Sequence, residues 1–214
     1  KVDQSTGALT QKIDLPVPPG RLHMQPGLAL EYNSQRTEDG IAGYGWSISI
    51  PSIQRLNKTG SERLYTDNYF TSSMGGELAT TSSTSTPTEY RNRLEDGRFI
   101  KYLYANDTWT AYDKDGTRYS FGSTTQSRQY DVGSSTQIYR WNIEEIRDTN
   151  DNFVRFEYKK DSNQVYPYKI YYTGHGSTDG PVVIEFTKSS RPDTLVTYKP
   201  GFAVSTTYRI TEVK

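Results

Sequence analysis

The chain contains no cysteine, which removes disulfides, thiolate metal sites and cysteine nucleophiles together. It has no net charge either: 25 Lys and Arg balance 25 Asp and Glu. A non-specific nucleic-acid binder carries an excess of positive charge, and Lys159-Lys160 is the only adjacent basic pair, too short for a phosphate-tracking stripe. No apolar run approaches the roughly 18 residues that a transmembrane helix needs. The start, Lys1-Val2-Asp3-Gln4, lacks the charged-then-apolar pattern of a signal peptide, as expected of a piece processed or cut from something longer. No segment shows convincing helical periodicity; only Ile143 and Ile146 sit at helical spacing, inside a stretch otherwise patterned as strand.

What is present is aromatic. Hydrophobic residues make up only 33%, yet there are 18 Tyr, 7 Phe and 3 Trp. Disordered chains are poor in aromatics, whereas sheets with a wet face carry rings and Thr on the pleat and charges outward. The composition fits a thin curved sheet better than a thick globular core. At 214 residues the chain is read as one β domain spanning 1–214, all-β, built from antiparallel hairpins and meanders.

The clearest segment runs from Tyr139 to Tyr172. Two β-rich stretches, Tyr139–Asp148 and Phe153–Lys159, flank Thr149-Asn150-Asp151-Asn152, residues that accept turn geometry and hydrogen-bond their own backbone. Arg98–Tyr104, Thr108–Asp113 and Thr117–Phe121 read as a meander, with turns at Asn106-Asp107 and Lys114-Asp115-Gly116. Further strands are expected at Gln11–Val17, Leu28–Asn33, Ser47–Pro51, Tyr166–Thr173, Val182–Thr187, Thr194–Tyr198 and Thr206–Val213. Asn33–Gly40 and Ser123–Ser135 read as polar connections. Thr71–Thr88 is less regular, and the low-complexity Thr80–Thr88 is the best candidate for a mobile loop or linker.

Few residues point to chemistry. His23 and His175 each lack a second ligand nearby, so both read as loop residues. Asp148–Asn152 and Asp113–Gly116 have some of the oxygen spacing of calcium loops, but neither supplies the bidentate Glu; hairpin turns explain them better. Glu144 and Glu145 are neighbours, so on a strand they face opposite ways and cannot form a dyad. There is no G-x-S-x-G elbow, and Gly43-Tyr44-Gly45-Trp46 lacks the third glycine of a dinucleotide fingerprint. No cofactor or metal is expected, and the chain is read as non-enzymatic. Trp46, Trp109 and Trp141 could form a sugar-stacking platform; cross-strand packing is the simpler reading.

Several segments, taken in order, resemble the N-terminal region of the Salmonella virulence plasmid B protein family. This region also opens the B component of insecticidal toxin complexes and many Rhs/YD-repeat proteins. They are Val17–Arg21 (VPPGR), Pro26–Ser34 (PGLALEYNS), Gly43–Ser49 (GYGWSIS), Ile53–Arg55, Trp141–Tyr158, Tyr166–Thr173 (YPYKIYYT), Arg191–Asp193 (RPD) and Tyr208–Val213 (YRITEV). The resemblance implies a secreted, β-rich toxin or surface component contributing to a hollow β-shell around a toxic C-terminal segment. Its implied partners are downstream YD-repeat segments and other toxin-complex components. The family's enzymatic activities belong to downstream parts, so none carries over. A carbohydrate- or protein-binding β module is the alternative, and a free-standing hydrolase has the least support. The residues expected to matter are structural: Pro18, Pro19 and Gly20 for an entry turn, Gly43, Gly45 and Trp46 for close packing, and Trp141, Asp148 and Asn152 for the hairpin. Bare edge strands invite aggregation, so the segment is expected to cover its edges with loops or to associate.

Overall fold

The computed structural model describes residues 1–4, 6–36, 39–82 and 86–214. A small sheet comes first: β1 (Thr10–Asp14), β2 (Ala29–Asn33) and, beyond the two-residue pair β3 (Asp39–Gly40) and β4 (Gly43–Tyr44), β5 (Trp46–Ile48), in the order β1-β2-β5. The stretch Ser47–Pro51, read as one strand, is broken. Before Ile50-Pro51 the chain belongs to this sheet, and after it β6 (Ser52–Arg55) enters a second one.

From β6 the chain runs as a meander through β7 (Phe70–Ser72), β8 (Gly76–Ser82), β9 (Thr88–Asn92), β10 (Lys101–Ala105), β11 (Thr108–Tyr112) and β12 (Arg118–Phe121), each antiparallel to the next. Then come β13 (Arg128–Asp131) and the long β14 (Ser134–Arg147). β14 is the latch. Trp141 pairs with Ile53 of β6 on one side and Arg128 of β13 on the other, and further along β14 Ile143–Arg147 pair with β12. The meander therefore closes through β14 into an eight-stranded barrel of β6–β12 and β14. In a barrel of that size the interior is just wide enough for side chains to fill.

Alternation fills it. Ile53, Phe70, Leu78, Tyr90, Tyr102, Trp109 and Phe121 face inward from the successive strands β6 to β12 and are buried. Trp109 lies 4.9 Å from Phe70, 4.7 Å from Tyr104 and 6.1 Å from Trp141 between ring centroids. Trp141 Nε1 donates to the Asp107 carbonyl at 2.8 Å, tying the latch to the β10–β11 turn. That turn is at Asn106-Asp107, where both residues have positive φ. Arg55, at the end of β6, is also buried; it donates to the carbonyls of Ile138, Leu64 and Asp67 and lies over the rings of Phe70 and Trp141.

Where β6 leaves β14, β15 (Asn152–Asp161) takes its place and starts an extension through β16 (Gln164–His175), β17 (Val182–Thr197) and β18 (Val204–Val213). The all-β antiparallel expectation holds, and Asn142–Arg147 is strand. Sequence patterning missed β7, β8, β9 and β13. The proposed loop at 80–88 is partly strand: residues 80–82 belong to β8 and Thr88 opens β9, while residues 83–85 lie outside the described residues. Of the connection Asn33–Gly40, residues 37 and 38 likewise lie outside them. The two strands expected at Val182–Thr187 and Thr194–Tyr198 are one, β17, bulged between Ser190 and Leu195.

Candidate functional site

The hairpin between β14 and β15 is held by one carboxylate. Asp148 accepts the backbone N–H of Asn150 at 2.8 Å and of Asn152 at 2.9 Å, and the Asn152 amide at 2.7 Å. Partial burial pushes the Asp148 carboxyl up, but these bonds together outweigh it and hold the group below the usual carboxylate range. Asp113 repeats the device, accepting the N–H groups of Asp115 and Thr117, each at 3.0 Å. Donors therefore fill both loops where calcium would need oxygens, and no cluster of three or more metal-ligating groups exists among the described residues. Asp148→Ala is expected to cost about 2 kcal/mol, since the bonds involve a charged acceptor, and to lower the melting temperature by roughly 4–8 °C in a chain of this size. Calorimetry checks it, and an unchanged midpoint would refute the clamp.

The other residues singled out by sequence lie elsewhere and do not converge. Gly20 donates its N–H to Gln25 Oε1 at 3.0 Å, and a Cβ there would overlap the Met24 carbonyl. The Pro18 carbonyl accepts the Tyr172 hydroxyl at 3.1 Å, so this entry turn, with Pro19, is tied to β16. Gly43 and Gly45 have φ of 111° and 75°, a region open to glycine. A Cβ on Gly45 would press on the Tyr32 ring, which packs against its cross-strand partner Trp46 at 5.2 Å. Trp109 and Trp141, at 1% and 0% exposure, are inside the barrel. They cannot stack on a sugar, which removes the platform reading for both. His23 lies in a short 3-10 turn at Arg21–His23, and His175 ends β16. Glu144 turns to the backbone N–H groups of Ser123 and Thr124, while Glu145 pairs with Arg118 and Arg147. The two carboxylates are held by separate partners.

The edges differ in how they are covered. On β18 the backbone donors of Ser205, Thr207 and Ile210 go to the Ser162 carbonyl, the Tyr166 hydroxyl and the Ile41 carbonyl. Its bulged partner β17 is stapled by Arg191, which grips Asp193 through two bonds of 3.1 and 2.9 Å and also reaches the Gly40 carbonyl. β1 is different. Leu9 and Leu15 direct backbone groups to the β2 side, whereas the Thr10 N–H bonds outward to the Lys1 carbonyl. By alternation the Lys12 N–H also points outward. Gln11, Lys12, Ile13 and Asp14 are exposed, as are the apolar side chains of Val2 and Leu9 beside them. An exposed strand edge flanked by apolar side chains is a surface for pairing.

Between the small sheet, the outer face of β14 and the β17–β18 hairpin lies a cleft of about 1070 Å³. β5 and the chain from Ser49 to Ser52 form one wall, Arg140 and Asn142 project from another, and Leu195, Val196 and Val204 come from the hairpin. Its charged lining is Arg36, Arg98, Arg140 and Lys199 against Glu31. Sequence reasoning did not find Arg140: its position on the first strand of the β14–β15 hairpin was visible, but which face borders a cleft depends on the remote small sheet. Nor did it give Arg191 and Asp193 a role, although the RPD triplet was in view.

A family model described as Salmonella virulence plasmid 65kDa B protein matches residues 3–179. The chain belongs to this family. Solved structures agree on the fold. The N-terminal domain of the effector protein SpvB from Salmonella typhimurium strain LT2 superposes with a TM-score of 0.77 at 20% identity, covering 94% of this chain and 86% of that one. A TcdB2-TccC3 crystal structure gives 0.76 at 20% identity over 97% of this chain, and the Tc holotoxin pore of Photorhabdus luminescens gives 0.79 at 20% identity over 95%. The chain spans only 14% and 13% of those two toxin-complex chains. No curated protein matches it. In this B-protein family member, the motifs from Val17–Arg21 to Tyr166–Thr173 fall within the matched span, whereas Arg191–Asp193 and Tyr208–Val213 lie beyond it.

Proposed function

We propose that the chain is a non-enzymatic wall segment of a secreted toxin-complex-type protein, helping to enclose or present a toxic segment. The observation that carries this reading is the contrast between its edges. The barrel has no edge, β18 is covered by side chains and loops, and β1, whose Thr10 N–H is met by the Lys1 carbonyl, offers the outward Lys12 N–H beside exposed Val2, Leu9 and Ile13. The densely filled barrel encloses nothing itself; it makes a rigid block whose exposed strand pairs with a neighbouring segment, for which YD repeats of the same protein are the natural partners. Family membership and the likeness to the toxin-complex structures support it.

The reading frame is expected to continue after Lys214 into YD repeats, and its product to resist limited proteolysis. Lys12→Pro removes an outward donor only, and proline is tolerated on an edge strand, so β1 stays paired to β2 while addition of a further strand is blocked. The variant is expected to lose protection of the enclosed segment while its melting temperature stays within a few degrees. A stop codon directly after Lys214, or full protection in Lys12→Pro, would overturn the reading.

A further inference from the structure

The cleft beside β5 holds two arginines, Arg140 and Arg36, without a carboxylate partner among the described residues. Arg140 Nε and Nη2 both donate to a single neutral oxygen, Gln54 Oε1, at 3.0 and 2.7 Å. A guanidinium carries five donors, and among the described residues Arg140 has no carboxylate partner. Arg36 is in a similar position: its Nη1 is fully buried with no acceptor among the described residues. Of the other cations, Arg98 is paired with Asp96 at 2.5 Å. Glu31 is the one acidic side chain in the lining among the described residues. A buried or half-buried charge is costly until paired and hydrogen-bonded, and like charges within low-dielectric walls raise the local potential for an anion.

The walls add a second requirement. Leu195 and Val196, exposed on the C-terminal hairpin, border the cleft, and Trp46 lines it from β5. β5 pairs with β2 on one side and with no strand on the other among the described residues. A cleft of about 1070 Å³ is at the upper end of what small ligands occupy, and an open strand edge admits an extended peptide as an added strand. A small anion would answer the cations and leave the apolar side chains and the strand edge unmet.

We propose that this cleft binds an extended, acidic stretch of polypeptide from outside these 214 residues. Its carboxylates pair with Arg140 and Arg36, and its apolar side chains cover Trp46, Leu195 and Val196. This contact is separate from the β1 edge and goes beyond the wall-segment reading, so either can fail alone.

The test is a display library of random nonapeptides selected against the 214-residue chain, with enriched peptides then titrated by fluorescence anisotropy. Enriched peptides are expected to alternate Asp or Glu with apolar residues. Changing the peptide's acidic residue to its amide, or Arg140→Gln in the protein, is expected to weaken binding by roughly tenfold or more, the usual consequence of removing one partner of a desolvated charge pair. Arg140→Lys should restore part of it. Among the described residues the Arg140 side chain hydrogen-bonds to Gln54 alone, so Arg140→Gln is expected to melt with the parent; should it not, Arg36→Gln and the amide peptide carry the test. Selection that enriches no acidic residue, or peptides that bind Arg140→Gln as tightly as the parent, would overturn the proposal.

Discussion

Trp141→Ala is expected to be the most damaging single substitution in the chain, costing about 5 kcal/mol. Truncating a buried Trp to Ala forfeits roughly 3–5 kcal/mol through lost transfer energy and the cavity left behind. Here the indole also donates to the Asp107 carbonyl at 2.8 Å, and stranding that carbonyl adds on the order of 1 kcal/mol or more. Trp141 packs on Phe70, Tyr104 and Trp109 and lies under the Arg55 guanidinium. With Arg140 it is where β14 is paired both to β6 and to β13, through Ile53 and Arg128. The loss is thus set at the closure of the barrel. Against a typical total stability of about 5–15 kcal/mol, the variant should unfold at markedly lower urea or fail to fold. Trp46→Ala is the control, since Trp46 is only half-buried and touches Tyr32 from the small sheet; its cost should stay near 1–2 kcal/mol. Urea unfolding of both decides it. Equal costs for the two would mean that the barrel interior is not where the stability lies.

That contrast also marks how far the sequence could be read. The β14–β15 hairpin was legible because its turn is chemical: Asp148 and Asn152 make the bonds their side chains are suited to, and the flanking strands alternate. The β10–β12 meander was legible for the same reason, with positive φ at Asn106, Asp107 and Gly116 where the turns were placed. Closure was not legible. Trp141 and Ile53 are neighbours across a ladder but far apart in the chain, and period-2 alternation looks the same whether the apolar face meets solvent, a partner or the inside of a barrel. Hence a thin curved sheet was expected where Trp109 and Trp141 lie in a dry interior. β7 and β13 have three and four residues, too few to show a period, and β8 (GELATTS) has the Ser and Thr of a linker. The cleft failed to show for a related reason: Arg140, Arg36 and Leu195 reach it from three remote parts of the chain.

Tyrosine sets the second large effect, an alkaline limit. Tyr90, Tyr102 and Tyr158 are buried, and burial raises all three phenols above their ordinary value. Tyr158 donates to the Ile143 carbonyl at 2.6 Å, which holds it in its protonated form; at Tyr102 burial outweighs the Ser72 hydroxyl at 3.2 Å, which favours the phenolate. A group whose folded pKa lies above its unfolded value stabilises fully below the unfolded value, near 10 for tyrosine, and that contribution is lost as pH rises. Burial raises the half-buried phenols of Tyr65, Tyr104 and Tyr119 in the same direction, so the loss grows with each phenol that must ionise on unfolding. Lysine works in the opposite direction lower down. Burial, helped by Arg128, brings Lys160 down to about 8, so its cost to the fold is present below about 8 and is relieved between there and the unfolded value. On the acid side, Arg191 holds Asp193 down to about 2, and that contribution is present above the ordinary carboxylate range and lost as pH falls through about 2. Stability should therefore hold or rise from pH 8 to 10 and then fall steeply. Urea midpoints across pH 7–11, with phenolate absorbance recorded on the folded protein, test this. Unchanged midpoints between pH 9 and 11, or buried phenols that ionise near 10 before unfolding, would show that these rings are not sealed. Tyr158→Phe should flatten the alkaline slope, because it removes one of the protons on which the fall depends.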